Sequence, residues 1–358
     1  MAQVLPAERD LRRVIGDGEG IPDGEVEGLS EKDLLELHRW LVLLRTYDER
    51  SVVYHSQGRI GTYALFWNHE AMQAGSVYAL EREDWIFPSY RESPIGLVRR
   101  MPVETILQWW RGHPSGWWNP LDWNVASICV PIGTHVPHAA GFAWGAKLKG
   151  ESTAAIAFFG DGATSEGSFH EGANLAGVMR APLVLLCNNN QWAISTPLSA
   201  QTAAATLADK AIGYGMPGVR VDGADVLAVY EATRKAIERA RAGEGPTFVE
   251  AVTYRCRPHA TADDPSSYID QERVEDAVTN ECLGRYEGYL RRLGLLTDAH
   301  ADEVKDWALE LMREGIGKAE AEPEPDISLV FEHAYAEPPP ALAHDLEELR
   351  RIAGGIGG

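Results

Sequence analysis

The sequence predicts an α/β fold: a parallel sheet flanked by helices, with helical extensions at both ends. Three observations carry that prediction. An apolar run, Ala154 to Phe159, ends in Gly160-Asp161-Gly162. A second, Leu183 to Cys187, ends in Asn188-Asn189-Asn190. Short apolar runs bounded by turn residues read as buried strands. Between them lies a helix-like segment, opened by Ser165 and Glu166 and closed by Arg180 and Pro182. A hydroxyl cap and a carboxylate suit the positive end of a helix, and proline prevents continuation. A right-handed βαβ crossover puts Asp161 and Asn190 together at the carboxyl edge of the sheet, where such folds bind ligands.

The chemistry of that edge points to a cation and an anion. A carboxylate, an amide oxygen and a nearby backbone carbonyl suit Mg²⁺, which prefers hard oxygen donors and keeps substrate phosphates among its ligands. Glycines at 160, 162 and 167 let the backbone approach a bulky anionic ligand. The plain alternative is an ordinary crossover with a Gly-Asp-Gly turn, since turns favour those residues. Two oxygen-bearing loops, each at a strand end, are a more specific signal than either alone.

The other elements follow in order. Residues 1–29 are polar and glycine-rich and are expected to form a loosely ordered arm. Ser30 with Asp33 resembles a capping box, and Leu34, Leu37, Leu41 and Leu44 fall at helical spacing through about Arg50. A second helix is predicted from His69 to Glu81. Asp84 to Tyr90 reads as a turn and short strand leading into Arg91. Residues 108–124 hold tryptophans at 109, 110, 117, 118 and 123, either an aromatic loop against a partner or a local core cluster. Thr134 to Lys149 reads as a helix whose small residues (Ala139, Ala140, Gly141, Gly145) suit a buried position or a subunit contact. Asp225 caps a helix running to Ala242 and ended by Gly243. Pro246 to Tyr254 is a further strand, and the polar residues 255–270 read as a surface loop. From Val274 the chain is helical and acidic. Ala319 to Asp326 is a Glu/Pro linker, and the tail after Pro338 is expected to be partly disordered. The division is thus an arm (1–29), one ligand-binding unit (30–318) and a linker with tail (319–358).

Composition narrows the partners. The chain has 358 residues, 45% hydrophobic and 24% charged, with a net charge of −20. That is a globular composition without a nucleic-acid footprint, and its acidity disfavours anionic polymers and membrane surfaces. Met1 to Glu19 lacks an apolar signal core, and no apolar run is long enough to span a bilayer. An anionic ligand then needs positive charge gathered locally, with Arg91, Arg255 and His259 as candidates. Cys129, Cys187, Cys256 and Cys282 show no CxxC spacing, so free thiols in a reducing cytoplasm are expected and a zinc site is not.

Asp161-Gly162-Ala163-Thr164-Ser165-Glu166-Gly167 and Asn189-Asn190-Gln191-Trp192-Ala193-Ile194-Ser195-Thr196-Pro197 resemble the thiamine-diphosphate motif. The surrounding chain resembles the α subunit of the decarboxylating component of 2-oxo acid dehydrogenase complexes. The resemblance extends from Gln57-Gly58-Arg59-Ile60 through Asp84–Glu92, Pro131-Ile132-Gly133-Thr134, Val221–Val226 and Thr253-Tyr254-Arg255 to Pro323–Asp326 and Tyr335-Ala336-Glu337. It implies a thiamine-diphosphate-binding fold, with Mg²⁺ held by Asp161, the Asn190 side chain and the Trp192 carbonyl, and with Gly162 and Ala163 beside the cofactor. Tyr90 and Arg91 match a pair that contacts the diphosphate, where the planar fork of arginine donates twice. Val130 and Ile132 fall where relatives grip and wedge the aminopyrimidine. His259 resembles the active-site histidine of a loop, and its ordinary titration near pH ~6.5 suits donation to a phosphate or an oxo acid.

Several positions depart from the family pattern: Trp192, mildly, where tyrosine is usual, the segment Phe66-Trp67-Asn68, and three more. Asn188 stands where some relatives place an arginine near the diphosphate, although it can still donate a hydrogen bond. His69 replaces the usual acidic residue before Glu70. Ala260 stands where animal relatives carry a regulatory serine, so that phosphorylation switch cannot operate there.

The resemblance implies oxidative decarboxylation of pyruvate or a branched-chain 2-oxo acid, with acyl transfer to a lipoyl group of an acyltransferase component. It also implies a separate β subunit, in a unit of two α and two β chains, without which this chain is inactive. Asp263-Asp264 with Ser266-Ser267-Tyr268 leans toward branched-chain substrates. An acetoin-cleaving α subunit and a non-catalytic scaffold paralogue remain as alternatives. A metal-dependent phosphate hydrolase is a third, but it needs a second carboxylate or nucleophile beside Asp161, and none is evident.

Overall fold

A computed structural model of the chain describes residues 10–16, 23–24, 26–332 and 335–356. Five strands form one parallel sheet: β1 (Trp85–Phe87), β2 (Ala155–Gly160), β3 (Leu183–Asn189), β4 (Gly218–Asp222) and β5 (Thr247–Val252), in the order β1-β2-β3-β5-β4. Alternate residues along β2 and β3 enter two separate cores. Ile156, Phe158, Val184 and Leu186 face one, and Ala155, Ala157, Phe159, Leu183, Leu185 and Cys187 face the other. Burial on both faces is why these strands read as continuous apolar runs rather than alternating ones.

The first core is covered by α1 (Glu31–Ser56) and α2 (Glu70–Tyr78), together with α3 (Val103–Arg111). The second is covered by α4 (His135–Lys149) and α5 (Gly167–Met179). The expected capping box at Ser30 and Asp33 opens α1. In α4, Ala139, Ala140 and Ala143 pack inward, whereas Gly141 meets nothing and is exposed. Helix α6 (Val226–Arg241) starts at the Asp225 cap, and the chain passes Gly243 at φ +73° before β5. The longer helices that follow are α7 (Gln271–Thr279), α8 (Cys282–Arg292), α9 (Asp298–Ala321) and α10 (Pro340–Ile356), with a single turn at Leu329–Glu332 before the last.

Several expectations change. Helix α2 is shorter than 69–81, because His69 serves as its cap. Ser165 does not cap α5: its hydroxyl donates to Gln201 O at 3.1 Å, and Glu166 takes the cap position. Within the arm, residues 10–16 are tied down. Arg12 pairs with Val221 at the outer edge of β4, and Val14 and Ile15 are buried with both N–H groups on the Asp225 carboxylate at 2.7 Å. Residues 1–9, 17–22 and 25 of the arm lie outside the described residues. The segment 255–270 is not simply surface, since Arg255 and Cys256 are buried. The tail beyond Pro338 is helical. Proline suits a first helical turn, and Ala341 to Ile352 is rich in good helix formers, with Leu342, Leu346 and Leu349 on one face. Of the tryptophans, 110 is buried and 109, 118 and 123 pack against the core, so the core reading holds for them; Trp117 is 67% exposed.

Isolated bridges cover part of each sheet edge. Arg12 sits beside β4, and on the other side Val125 pairs with Ile86 and Cys129 with Ser89. Among the described residues no helix is long and apolar enough to cross a membrane.

Candidate active site

Strands β2 and β3 run side by side with Gly160 opposite Asn188. Asp161 therefore leaves one strand where Asn190 leaves the next. The ends of β1 and β5 bring Ser89–Glu92 and Thr253–Arg255 to the same edge. The result is a cavity of about 200 Å³. Its lining includes Tyr90, Arg91, Ile132, Asp161, Gly162, Ala163, Asn188, Asn190, Trp192 and His259. All the residues the resemblance singles out thus converge there except Val130, which sits on the rim, 54% exposed and outside the lining.

The oxygen side of the cavity is built by Asp161 and Asn190. Asp161 is 1% exposed and accepts from Gln201 Nε2 at 2.6 Å. Burial raises its carboxyl above the ordinary value, against the lowering effect of that hydrogen bond. Asn190 Oδ1 accepts the Trp192 N–H at 3.1 Å, which turns the chain into a two-residue hairpin, Trp192–Ala193 against Thr196–Pro197. The hairpin lies tight on the Gly-Asp-Gly turn: a Cβ at Gly162 would stand 2.7 Å from Ala193 Cβ. Gly162→Val is expected to push the hairpin away and lower stability by about 1–3 kcal/mol, measured by urea denaturation. Among the described residues no three of His, Cys, Asp or Glu come together as a metal group. A cation here has one carboxylate plus amide and carbonyl oxygens, a donor set for Mg²⁺ rather than zinc.

Another part of the lining carries Arg91 and His259. Arg91 donates to Leu65 O and to His259 O (3.1 Å), and its Nη2 lies 3.0 Å from His259 Nδ1. Since arginine only donates, Nδ1 accepts and the imidazole proton is on Nε2. Tyr90 meets the same ring edge-on at 6.1 Å. Burial, then the charges of Arg91 and Arg255, push His259 down to about 4. The sequence alone suggests an ordinary histidine; burial, backed by the neighbouring positive charge, keeps it neutral. Arg255 is 1% exposed and donates to Ile194 O (2.7 Å), Arg257 O (3.2 Å) and Tyr268 Oη (2.8 Å). Asp263 closes the loop by accepting from His259 N–H (2.7 Å) and Tyr268 Oη (2.5 Å). These bonds bury the head of a segment whose polarity reads as surface.

Asn188 lines the cavity, yet its amide nitrogen is already shared between His69 Nδ1 (3.1 Å) and Glu92 Oε1 (3.2 Å). It therefore has no free donor for a phosphate. Sequence reasoning missed Gln201, Glu92 and Cys129 as parts of the site. Nothing local marks them: Gln201 lies 40 positions from the carboxylate it holds. Ile194 adopts φ +56°, a conformation costly for a β-branched residue, and its carbonyl is thereby presented to Arg255.

The chain matches the sequence model of the dehydrogenase E1 component over residues 38–328. It is 44% identical over 322 residues to the 3-methyl-2-oxobutanoate dehydrogenase subunit alpha of Mycobacterium tuberculosis, covering 90% of this chain and 88% of that one. It is 40% identical over 332 residues to the pyruvate dehydrogenase E1 component subunit alpha of Staphylococcus epidermidis, covering 92% and 90%. The corresponding Staphylococcus aureus subunit is 38% identical, with 97% and 98% covered. A match spanning the sheet and every cavity loop, with relatives of this identity along nearly their whole length, means that the chain belongs to the dehydrogenase E1 component family.

Proposed function

We propose that the cavity holds thiamine diphosphate through Mg²⁺, and that the chain is the α subunit of a 2-oxo acid dehydrogenase. The observation that carries this reading is the meeting of the Asp161 and Asn190 oxygens with Arg91 and His259, in one crevice at the carboxyl edge of the sheet. Burial, and after it the charges of Arg91 and Arg255, lower His259, so positive charge is gathered at one part of a lining that also carries Glu92 and Glu166. Trp192 Nε1, on the lining, is also buried without a hydrogen-bond partner. A diphosphate with its cation fits such a surface, as buried polar groups call for partners.

In this reading Asp161, Asn190 and the Trp192 carbonyl hold the metal. Arg91, with Tyr90, faces the diphosphate, and Gly162 and Ala163 let the backbone approach it. Bound thiamine diphosphate supplies the electron sink that decarboxylation requires. His259, with its proton on Nε2, donates a hydrogen bond to the oxo acid, and it becomes more basic once an anion offsets the two arginines. Ile132 and Val130 flank the open mouth at 44% and 54% exposure, with Ile194 at 57%. An apolar rim around a half-open cavity suits a β subunit that completes it, in a unit of two α and two β chains serving a lipoyl-bearing acyltransferase. Four free thiols, three of them buried, are in keeping with a cytoplasmic setting.

Among substrates, branched-chain oxo acids are favoured by the Asp263–Tyr268 loop, whose Asp263 accepts the His259 N–H, and by the name of the 44% relative. The 40% relative keeps pyruvate as the second reading. Steady-state turnover of the chain co-expressed with its β subunit tests both. The expected result is no turnover by this chain alone, and kcat/KM for 3-methyl-2-oxobutanoate exceeding that for pyruvate by roughly tenfold or more, the scale that extra methyl groups in an apolar pocket supply. Turnover by the isolated chain, or none with either acid in the assembly, overturns the reading.

A further inference from the structure

The first turn of α2 supports the cavity from behind. His69 precedes α2 and is fully buried. Its Nδ1 lies 3.1 Å from Asn188 Nδ2, the same nitrogen that lies 3.2 Å from Glu92 Oε1. Asn188 Oδ1 accepts from Thr253 Oγ1 at 3.2 Å. These contacts assign the protons that the three side chains share. The Glu92 carboxylate only accepts, so the Asn188 NH₂ faces it. The second proton of that NH₂ points at His69 Nδ1, which must accept, leaving the imidazole proton on Nε2. Glu92 Oε2 in turn accepts from Ser89 Oγ.

A second strut lies one helical turn along. Gln73 Nε2 donates to Arg91 O at 3.1 Å. Residues four apart on a helix share a face. One face of α2 therefore holds the Ser89–Glu92 turn twice, directly through Gln73 and indirectly through His69 and Asn188. That turn carries Tyr90 and Arg91. Positions 69 and 188 are also two of those at which the sequence departs from the family pattern, and here they bond to each other without charge.

We propose that His69 and Asn188 form one neutral relay that positions the Tyr90-Arg91 turn against the cavity. His69 is a positioning residue that acts through Asn188. The relay rests on the reading of Arg91 as a diphosphate ligand, and two measurements separate the two ideas.

The first is calorimetric titration of the co-expressed α/β assembly with thiamine diphosphate and Mg²⁺. His69→Leu is expected to weaken binding about tenfold, the scale of one lost buried hydrogen bond. His69→Asn, whose Oδ1 takes the place of Nδ1, is expected to stay within about threefold of the unaltered protein. In an Asn188→Ala background, His69→Leu is expected to add nothing. Additive losses, or a His69→Asn as weak as His69→Leu, overturn the relay.

The second is histidine-selective ¹⁵N spectroscopy of the same assembly without cofactor. It is expected to show His69 neutral with its proton on Nε2, and a shifted Nδ1 signal on Asn188→Ala. A proton on Nδ1, or no response to Asn188→Ala, overturns the relay whether or not cofactor binds. Absence of thiamine diphosphate binding by the unaltered assembly defeats the proposed function instead, and the spectrum still decides the relay.

Discussion

Asp161→Asn is expected to abolish magnesium-dependent binding of thiamine diphosphate and to lower turnover by about two to three orders of magnitude or more. Losing an outer partner of a metal ligand already costs about 10–100-fold, and losing the ligand's charge costs more. The folded apo chain should not suffer. Burial raises the Asp161 carboxyl, so the folded state binds its proton more tightly than the unfolded one. Ionising the group then costs stability as pH rises from its ordinary value through the raised one, and the cost persists at neutral pH. Without cofactor, Asp161→Asn is therefore expected to be at least as stable as the unaltered chain, while thermal stabilisation by Mg²⁺ and thiamine diphosphate disappears. Thermal denaturation of the α/β assembly with and without both ligands measures this. Retained stabilisation by the pair would remove Asp161 from the metal site.

Asp225→Ala carries the largest expected loss of stability. Its carboxylate joins three parts of the chain. Oδ1 accepts the Leu227 and Ala228 N–H groups at 3.1 and 3.0 Å and caps α6. Oδ2 accepts from Val14 and Ile15, both at 2.7 Å, and from Arg285 Nη2 at 3.4 Å. Alanine loses a cap worth about 1 kcal/mol. It also strands two buried backbone donors, at about 1–3 kcal/mol each. A loss of about 3–7 kcal/mol is expected from urea denaturation of the chain. Arg285 keeps its second partner, Asp222 at 2.8 Å, so it adds little. Asp225→Asn retains one acceptor for the cap and should cost about half as much, with limited proteolysis now cutting near Val14. A loss below 1 kcal/mol for alanine would show that the arm holds by other means.

The two central strands were legible because burial on both faces leaves no polar alternation to obscure them. The helix caps at Ser30 and Asp225 were legible because a cap is a local signal. The Asp161 and Asn190 loops followed from the crossover rule, which needs only chain order. What the sequence hid depends on distant segments meeting. Asp225 reads as a cap, and its second oxygen finds the arm 211 positions away. His259 reads as an ordinary loop histidine until Arg91, 168 positions away, arrives beside it. Asn188 reads as a phosphate donor until His69 and Glu92 take its protons. Residues 255–270 read as surface because their polarity is visible, whereas the partners that satisfy it within the fold are not.

The single bridges at Arg12 and Cys129 have a consequence for assembly. An uncovered outer strand is a template on which any extended chain can build. With the backbone of β4 answered by Arg12 and the segment after β1 answered by Val125 and Cys129, this chain offers little for another to zip onto. Association side chain to side chain, through helices and loop tips where shape and charge can discriminate among partners, is then the readier route. That geometry favours defined oligomers over open-ended fibres.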